Sequence, residues 1–114
     1  MSDCLFCKIV AGEIPSKPVA QSERCYAFYD IAPQAPVHVL VISKEHITSA
    51  DEIVSTHGGI VDDMIVLAQE VVAIERIRES GYRLVFNVGN DGQMTVRHLH
   101  MHVLGGRRME WPPG

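Results

Sequence analysis

The sequence predicts an α+β fold built on an antiparallel sheet, and three stretches carry that prediction. From Arg97 to Leu104, histidine and apolar residues alternate with a period of two, as in a strand with one buried face. From about Gly59, Ile60, Met64, Leu67, Val71 and Ile74 recur at helical spacing, with Val61, Ile65, Ala68 and Val72 widening the stripe. Between the strand pattern of residues 82–88 and the histidine strand there is room only for a short hairpin loop, which favours antiparallel pairing.

Taken in order, residues 3–12 form a short helix with Asp3 as N-cap, Gly12 as stop, and Leu5, Phe6, Ile9 and Val10 as its apolar side. Pro15 and Pro18 keep the next segment extended. Residues 24–29 hold three aromatic or sulfur-bearing side chains beside Phe28 and read as a strand, and Asp30 to Pro36 form a proline-bounded loop. The apolar run 38–42 is a strand buried on both faces, and residues 44–47 lead out of it. The long helix follows, with Asp62, Asp63, Gln69, Glu70, Glu75 and Arg76 on its solvated side and Gly81 as its end. Its stripe is broad enough to meet either a second subunit or a wide core contact. Gly89, Asn90, Asp91 and Gly92 make a turn, and residues 93–96 lead into the histidine strand. The tail from Arg107 cannot continue a helix, and Trp111 is expected to dock it against a surface.

A chain of 114 residues suits one domain, residues 1–114, and 46% hydrophobic residues suit a folded globule. A net charge of −4 argues against broad nucleic-acid binding and leaves room for a single nucleotide. No signal peptide or membrane span is legible, and three cysteines without an export signal fit a reduced, cytoplasmic protein.

In an extended chain His98, His100 and His102 would share one face, spaced by roughly 6.5–7 Å, with Leu99, Met101 and Val103 turned to the core. Three imidazoles in a row are costly to keep for packing alone, because each is polar and titrates near neutral pH. Asn87, the backbone N–H groups of residues 92–94 and Thr95 lie beside them in sequence. Such donors can hold a phosphoryl oxyanion while an imidazole attacks phosphorus; alternatively, 89–92 is an ordinary hairpin turn. Cys4, Cys7, His46 and His98 are the residue types of a Cys₂His₂ zinc site, although redox or packing roles fit a lone Cys-x-x-Cys equally well. His57 reads as solvated and Cys25 as core.

The row His98-x-His100-x-His102 followed by two apolar residues resembles the signature of the histidine triad (HIT) superfamily. The likeness extends through Leu5-Phe6, Lys8-Ile9, Glu13-Ile14-Pro15, Asp30 to Pro36, His38, Lys44 to Ile47, Gly81-Tyr82-Arg83 and Leu104 to Arg107. With the ending Trp111-Pro112-Pro113-Gly114, it is similar to the nucleotide-binding (Hint) branch. The resemblance implies a HIT-like fold: a five-stranded antiparallel sheet with one long and one short helix, paired into a homodimer with a continuous sheet. It implies hydrolysis of the P–N bond of purine nucleoside 5′-phosphoramidates, with no cofactor needed for catalysis. His100 would be the nucleophile, His102 and Thr95 would hold phosphate oxygens with Asn87, Gln93 and Met94 nearby, and His38 and His98 would support the nucleophile and proton transfer. Asp30 would take the ribose hydroxyls, and Leu5, Phe6, Ile9, Phe28 and Ile31 would form the base pocket. Cys4, Cys7, His46 and His98 are the positions that hold a structural zinc in many bacterial relatives, which would remove His98 from the proton chemistry. The chain departs from the family where Gln93 and Met94 replace the usual glycine and glutamine. A glycine at 93 could take a positive φ, which Gln93 does at a cost. Dinucleoside polyphosphate hydrolysis or nucleotidyl transfer, a histidine-ligated metal enzyme, and a non-catalytic nucleotide-binding partner protein are the competing readings.

Overall fold

The computed structural model describes residues 3–114. It has a five-stranded antiparallel sheet, one long helix on one face and one short helix at the other, as expected. The elements are α1 (Leu5–Val10), β1 (Pro18–Gln21), β2 (Cys25–Tyr29), β3 (Val37–Ser43), α2 (Ile60–Glu75), β4 (Tyr82–Val85) and β5 (His100–Gly105), with two short 3₁₀ turns before α2. The strand order is β1-β2-β3-β5-β4, so β3 and β5 are central and β1 and β4 are the edges.

Register divides the sheet into two chemically distinct faces. His38 lies opposite Leu104, Leu40 opposite His102, and Ile42 opposite His100; Tyr26 and Phe28 of β2 lie opposite Ile42 and Leu40. Residues directly across a ladder share a face. The two strand histidines therefore stand with His38, Tyr26 and Phe28, where Phe6 of α1 packs. The alternate residues Val39, Val41, Met101, Val103, Cys25 and Ala27 turn the other way and pack on Ile60, Met64, Leu67, Val71 and Val72 of α2. Both faces of β3 are covered, which explains its unbroken apolar run.

Several boundaries differ from the sequence pattern. The N-cap of α1 is Cys4, not Asp3: its Sγ accepts the Cys7 N–H. Residues 18–21 form a full edge strand, with Pro18 in the first position, where a missing N–H costs no ladder bond. Helix α2 stops at Glu75, short of Gly81. Arg76 takes a left-handed φ of 60°, its N–H reaches Ala73 O and the N–H of Ile77 reaches Val72 O, closing a Schellman-type end. Ile77 is then buried against β5, and a Cβ at Gly105 would fall 2.6 Å from its Cδ1, so a larger residue there would push the Ile77 side chain aside. The broad stripe of α2 is only partly covered within the chain: Ile74 and Val66 are exposed. His57 is only partly solvated: its Nδ1 accepts the Val54 N–H and its Nε2 lies 3.6 Å from Glu45. Cys25 is fully buried, as expected. Trp111 is 82% exposed and docks on no surface among the described residues; Arg83 anchors the tail instead, through a bond to Glu110 O.

Candidate active site

The site grows from β5. Strand geometry sends His100 and His102 to one face and buries Leu99, Met101 and Val103 on the other. His98, expected in the same row, is not in the strand. Its N–H bonds back to Val96 O while Leu99 N–H crosses to Ile47 O, so the backbone turns there, yet the buried His98 ring still meets Phe6 edge-on at 5.8 Å, on the same side as His100.

Each imidazole has its tautomer set by one neighbour. His100 Nδ1–H donates to the carbonyl of His98 at 2.7 Å, so Nε2 carries a bare lone pair. The backbone N–H of Gln34 donates to His38 Nδ1 at 3.0 Å, which leaves the proton on His38 Nε2. That Nε2–H faces His102 Nδ1 at 2.8 Å and the Asp30 carboxylate at 3.4 Å. His102, accepting at Nδ1, then presents Nε2–H outward; Asn87 Nδ2, at 3.3 Å, is itself a donor, so this tautomer goes with the Asn87 amide turned so that its Oδ1 accepts. Burial pushes the pKa of His38 and His100 below the ordinary imidazole value, against weaker opposing contributions from Asp30 and, for His100, from its carbonyl partner. Burial and the adjacent His100 and His38 push His102 down to about 4. All three rings are neutral at pH 7, which keeps this chain of tautomers intact.

Phe6 fixes the His100 ring edge-on at 5.2 Å and also meets Phe28 edge-on at 5.7 Å. Ile9 packs beside them, whereas Leu5 is largely exposed and Ile31 lies wholly open at the rim. Asp30 is held by the N–H of Ala32 on Oδ1. It lines a cavity of about 700 Å³ with Ile31, His38 and Tyr29, and with Ser16 and Lys17, two residues for which the sequence carries no signal. That volume lies within the range of small-molecule sites.

The loop before β5 is shaped differently from a simple anion nest. The N–H groups of Gln93 and Met94 bond to Asn90 O and Gly89 O, so the loop spends them on its own closure. Gln93 does sit at a left-handed φ of 62°, the strain its replacement of glycine implied. Thr95 lines a second cavity with Asp3, Cys4, Leu5, Val96 and Arg97.

Cys4, Cys7, His46 and His98 converge. His98 Nδ1 lies 3.2 Å from Cys4 Sγ, 3.6 Å from Cys7 Sγ and 3.2 Å from His46 Nδ1, and Cys7 Sγ lies 3.2 Å from His46 Nδ1. Tetrahedral zinc bonded to sulfur and nitrogen separates its ligand atoms by roughly 3.3–3.8 Å, so the donor set fits that ion. His98 Nε2–H donates to Ser43 O at 2.7 Å, which orients the ring and leaves Nδ1 as the ligand atom. Asp30, His38 and His102 also bring three donor atoms together, but there His38 must keep its proton on the nitrogen that would have to bind. The first cluster suits a metal and the second a hydrogen-bond relay.

This fold, and a strand bearing His100 and His102 just after a buried His98, define the HIT architecture. Residues 11–109 match the HIT domain model, and the chain belongs to that family. A HIT family hydrolase from Legionella pneumophila Philadelphia 1 superposes with a TM-score of 0.94 at 45% identity, covering 98% of this chain and 100% of that one. A histidine triad nucleotide-binding protein from Candida albicans superposes with a TM-score of 0.82 at 29% identity, covering 98% and 85%. The 14 kDa zinc-binding protein of Zea mays is 44% identical over 99% of this chain and 89% of its own.

Proposed function

We propose that this chain is a nucleotide-binding hydrolase that cleaves the P–N bond of purine nucleoside 5′-phosphoramidates through a nucleotidyl-His100 intermediate. One observation carries the reading: His100 Nδ1–H is held by the His98 carbonyl at 2.7 Å, which presents Nε2 as a neutral nucleophile. The hydrolase and nucleotide-binding descriptions of the Legionella and Candida relatives support it.

In this mechanism Asp30 accepts bonds from the ribose hydroxyls, and Phe6, Phe28, Ile9, Leu5 and Ile31 flank the base. His102 Nε2–H, Asn87 and Thr95 donate to the non-bridging phosphoryl oxygens, with Gln93 and Met94 shaping the loop beside them. His100 Nε2 attacks phosphorus and the P–N bond breaks. Its electron pair leaves with a nitrogen already protonated by solvent, so a neutral amine departs. Positive charge on the nucleotidyl-imidazolium is met by the Nδ1–H bond to His98 O. Water then attacks phosphorus, the P–Nε2 bond breaks, and the nucleotide leaves as the water's proton passes to solvent. His38 does not lose its proton; it holds His102 in the donating tautomer.

The reaction requires no cofactor. Cys4, Cys7, His46 and His98 would hold a structural zinc, a closed four-ligand site that supplies folding energy and not chemistry. The zinc-binding relative from Zea mays supports that assignment. His98 then serves catalysis only through its backbone carbonyl. The working form is a homodimer in the cytoplasm, with neither nucleic acid nor membrane as a partner. No helix among the described residues is long and apolar enough to cross a membrane.

The test is release of AMP from adenosine 5′-phosphoramidate by protein treated with EDTA, its fold checked by circular dichroism. Release is expected in the wild type and lost by at least about 10³-fold in His100→Gly, with AMP binding retained, as for removal of a covalent nucleophile. No release from folded wild-type protein would overturn the hydrolase reading.

A further inference from the structure

The His38 tautomer, and through it that of His102, hangs on one backbone N–H, that of Gln34 in the loop between β2 and β3. Most of that loop is exposed. Asp30 Oδ1 holds the Ala32 N–H at 2.8 Å, and the Gln34 side chain donates to Ala32 O at 2.9 Å, but both bonds are internal to the loop. A hold from outside comes from the far end of β5. Val37 and Gly105 form the last register pair of β3 and β5. Gly106 then turns with a left-handed φ of 88°, so close to the loop that a Cβ there would fall 2.8 Å from Pro36 Cβ. That turn delivers Arg107 onto the loop. Its Nε and Nη2 donate to Gln34 O at 3.3 and 3.1 Å, and its Nη1 donates to Arg108 O at 3.2 Å, which steadies the guanidinium plane.

We propose that Arg107 is a positioning residue: by clamping the Gln34 carbonyl it aims the Gln34 N–H at His38 Nδ1, and so keeps His102 Nε2–H turned to the phosphoryl oxygen. The inference rests on the nucleotide-hydrolase reading above and adds what holds its phosphate donor in the donating state. The N–H and C=O belong to one residue, so a rigid fork on the carbonyl also restricts where the N–H points. Without the clamp the carbonyl turns to water, and His38 Nδ1 loses its donor. His38 is then free to carry its proton on Nδ1 and to accept at Nε2 from His102 Nδ1–H. His102 Nε2 would face the phosphoryl oxygen as a lone pair, and a stabilising bond would become a repulsion. Each ring stays neutral with one proton throughout; only the nitrogen that carries it changes, by exchange with solvent.

Ring nitrogen NMR spectra of histidine-labelled, zinc-loaded wild type, Arg107→Ala and Arg107→Lys test this at neutral pH, since protonated and bare nitrogens of a neutral imidazole resonate far apart. In the wild type, His38 and His102 should each carry the proton on Nε2. In Arg107→Ala both should move to a mixture with Nδ1. His100 and His98, whose tautomers are set by the carbonyls of His98 and Ser43, should stay as they are. Arg107→Lys, with a point donor in place of the fork, should fall between the two. A merely structural role would not single out those two rings. On adenosine 5′-phosphoramidate, Arg107→Ala should lower kcat by roughly 3–10-fold, the size of one neutral hydrogen bond, and Arg107→Lys should recover part of it. Unchanged rings in Arg107→Ala, a disturbance shared by all four histidines, or a kcat equal to that of an active wild type would each overturn the proposal. The rings are read without substrate. If the wild type cleaves no phosphoramidate, the hydrolase reading fails, and the spectra alone decide whether Arg107 sets the two tautomers.

Discussion

His102 is the residue whose electrostatics are most exposed to test. Burial and its neighbours hold its pKa at about 4, against 6.5 for a free imidazole. Between those values the unfolded chain binds a proton that the folded one refuses, so folding stability rises with pH across that window and is complete above it. As pH falls from 6.5 toward 4, His102 alone should cost on the order of 1–2 kcal/mol, after discounting for its partial exposure. Urea unfolding at pH 7.5 and pH 5 should show a larger drop for wild type than for His102→Asn; equal drops would contradict the environment described for this ring. The same ring shows how far a sequence pattern reaches. Alternation along residues 98–103 correctly placed His100 and His102 on one face, because strand pleating follows from the backbone alone. The His98 ring keeps that side too, meeting Phe6 as His100 does, but its backbone lies outside the strand, since a turn made by the Val96–His98 and Leu99–Ile47 bonds leaves no trace in a period of two. Ser16 and the Gln34 N–H that sets the His38 tautomer were invisible for a related reason: both enter the site through tertiary contacts of loops.

Helix α1 depends on the metal site at the scale of an element. Six residues are too few to sustain a helix by their own hydrogen bonds. Phe6 is its one buried residue, and Cys4 and Cys7 tie its first turn to His46 and His98. Removing zinc with a chelator, or making Cys7→Ser, should therefore loosen α1 while β3 and α2 keep their protection. With it goes the wall formed by Leu5, Phe6 and Ile9, so AMP affinity should weaken about tenfold or more, the scale of a typical site–site coupling. Amide hydrogen exchange on the zinc-loaded and stripped protein reads the first effect, and calorimetry with AMP reads the second. Unchanged exchange in residues 5–10 would detach this helix from the cluster. Elements were legible in proportion to their length and pattern. Helix α2 and strand β3 carry long apolar repeats and emerged clearly. The end of α2 did not, because Arg76 adopts a left-handed conformation usually given to glycine, five residues before Gly81. Strand β1 was read only as extended chain, being four residues opened by a proline.

For the whole molecule the open question is what covers its outer apolar surface. Strand β4 ends the sheet, with one edge paired to β5 and the other unpaired among the described residues. Val66 is 63% and Ile74 49% exposed, on the outward side of α2 and two turns apart; Tyr82 opens β4, Val88 follows it, and Trp111 projects from the tail. An unpaired edge beside large exposed apolar side chains favours association, and pairing β4 with its copy would extend the sheet while satisfying its backbone donors and acceptors. Two-fold symmetry lets one patch serve both partners. The protein is accordingly expected to run as a dimer at micromolar concentration in size-exclusion chromatography with light scattering. Val66→Asp/Ile74→Asp places four carboxylates into the joint surface of such a dimer and should yield a monomer with an unchanged circular dichroism spectrum, since neither side chain belongs to the buried core. A wild type that remains monomeric would leave the α2 stripe explained by core contact alone. Because His100, His102, His38 and Asp30 all come from one chain, the monomeric variant should retain nucleotide binding at its own site, losing only what the partner's surface contributes to the pocket rim.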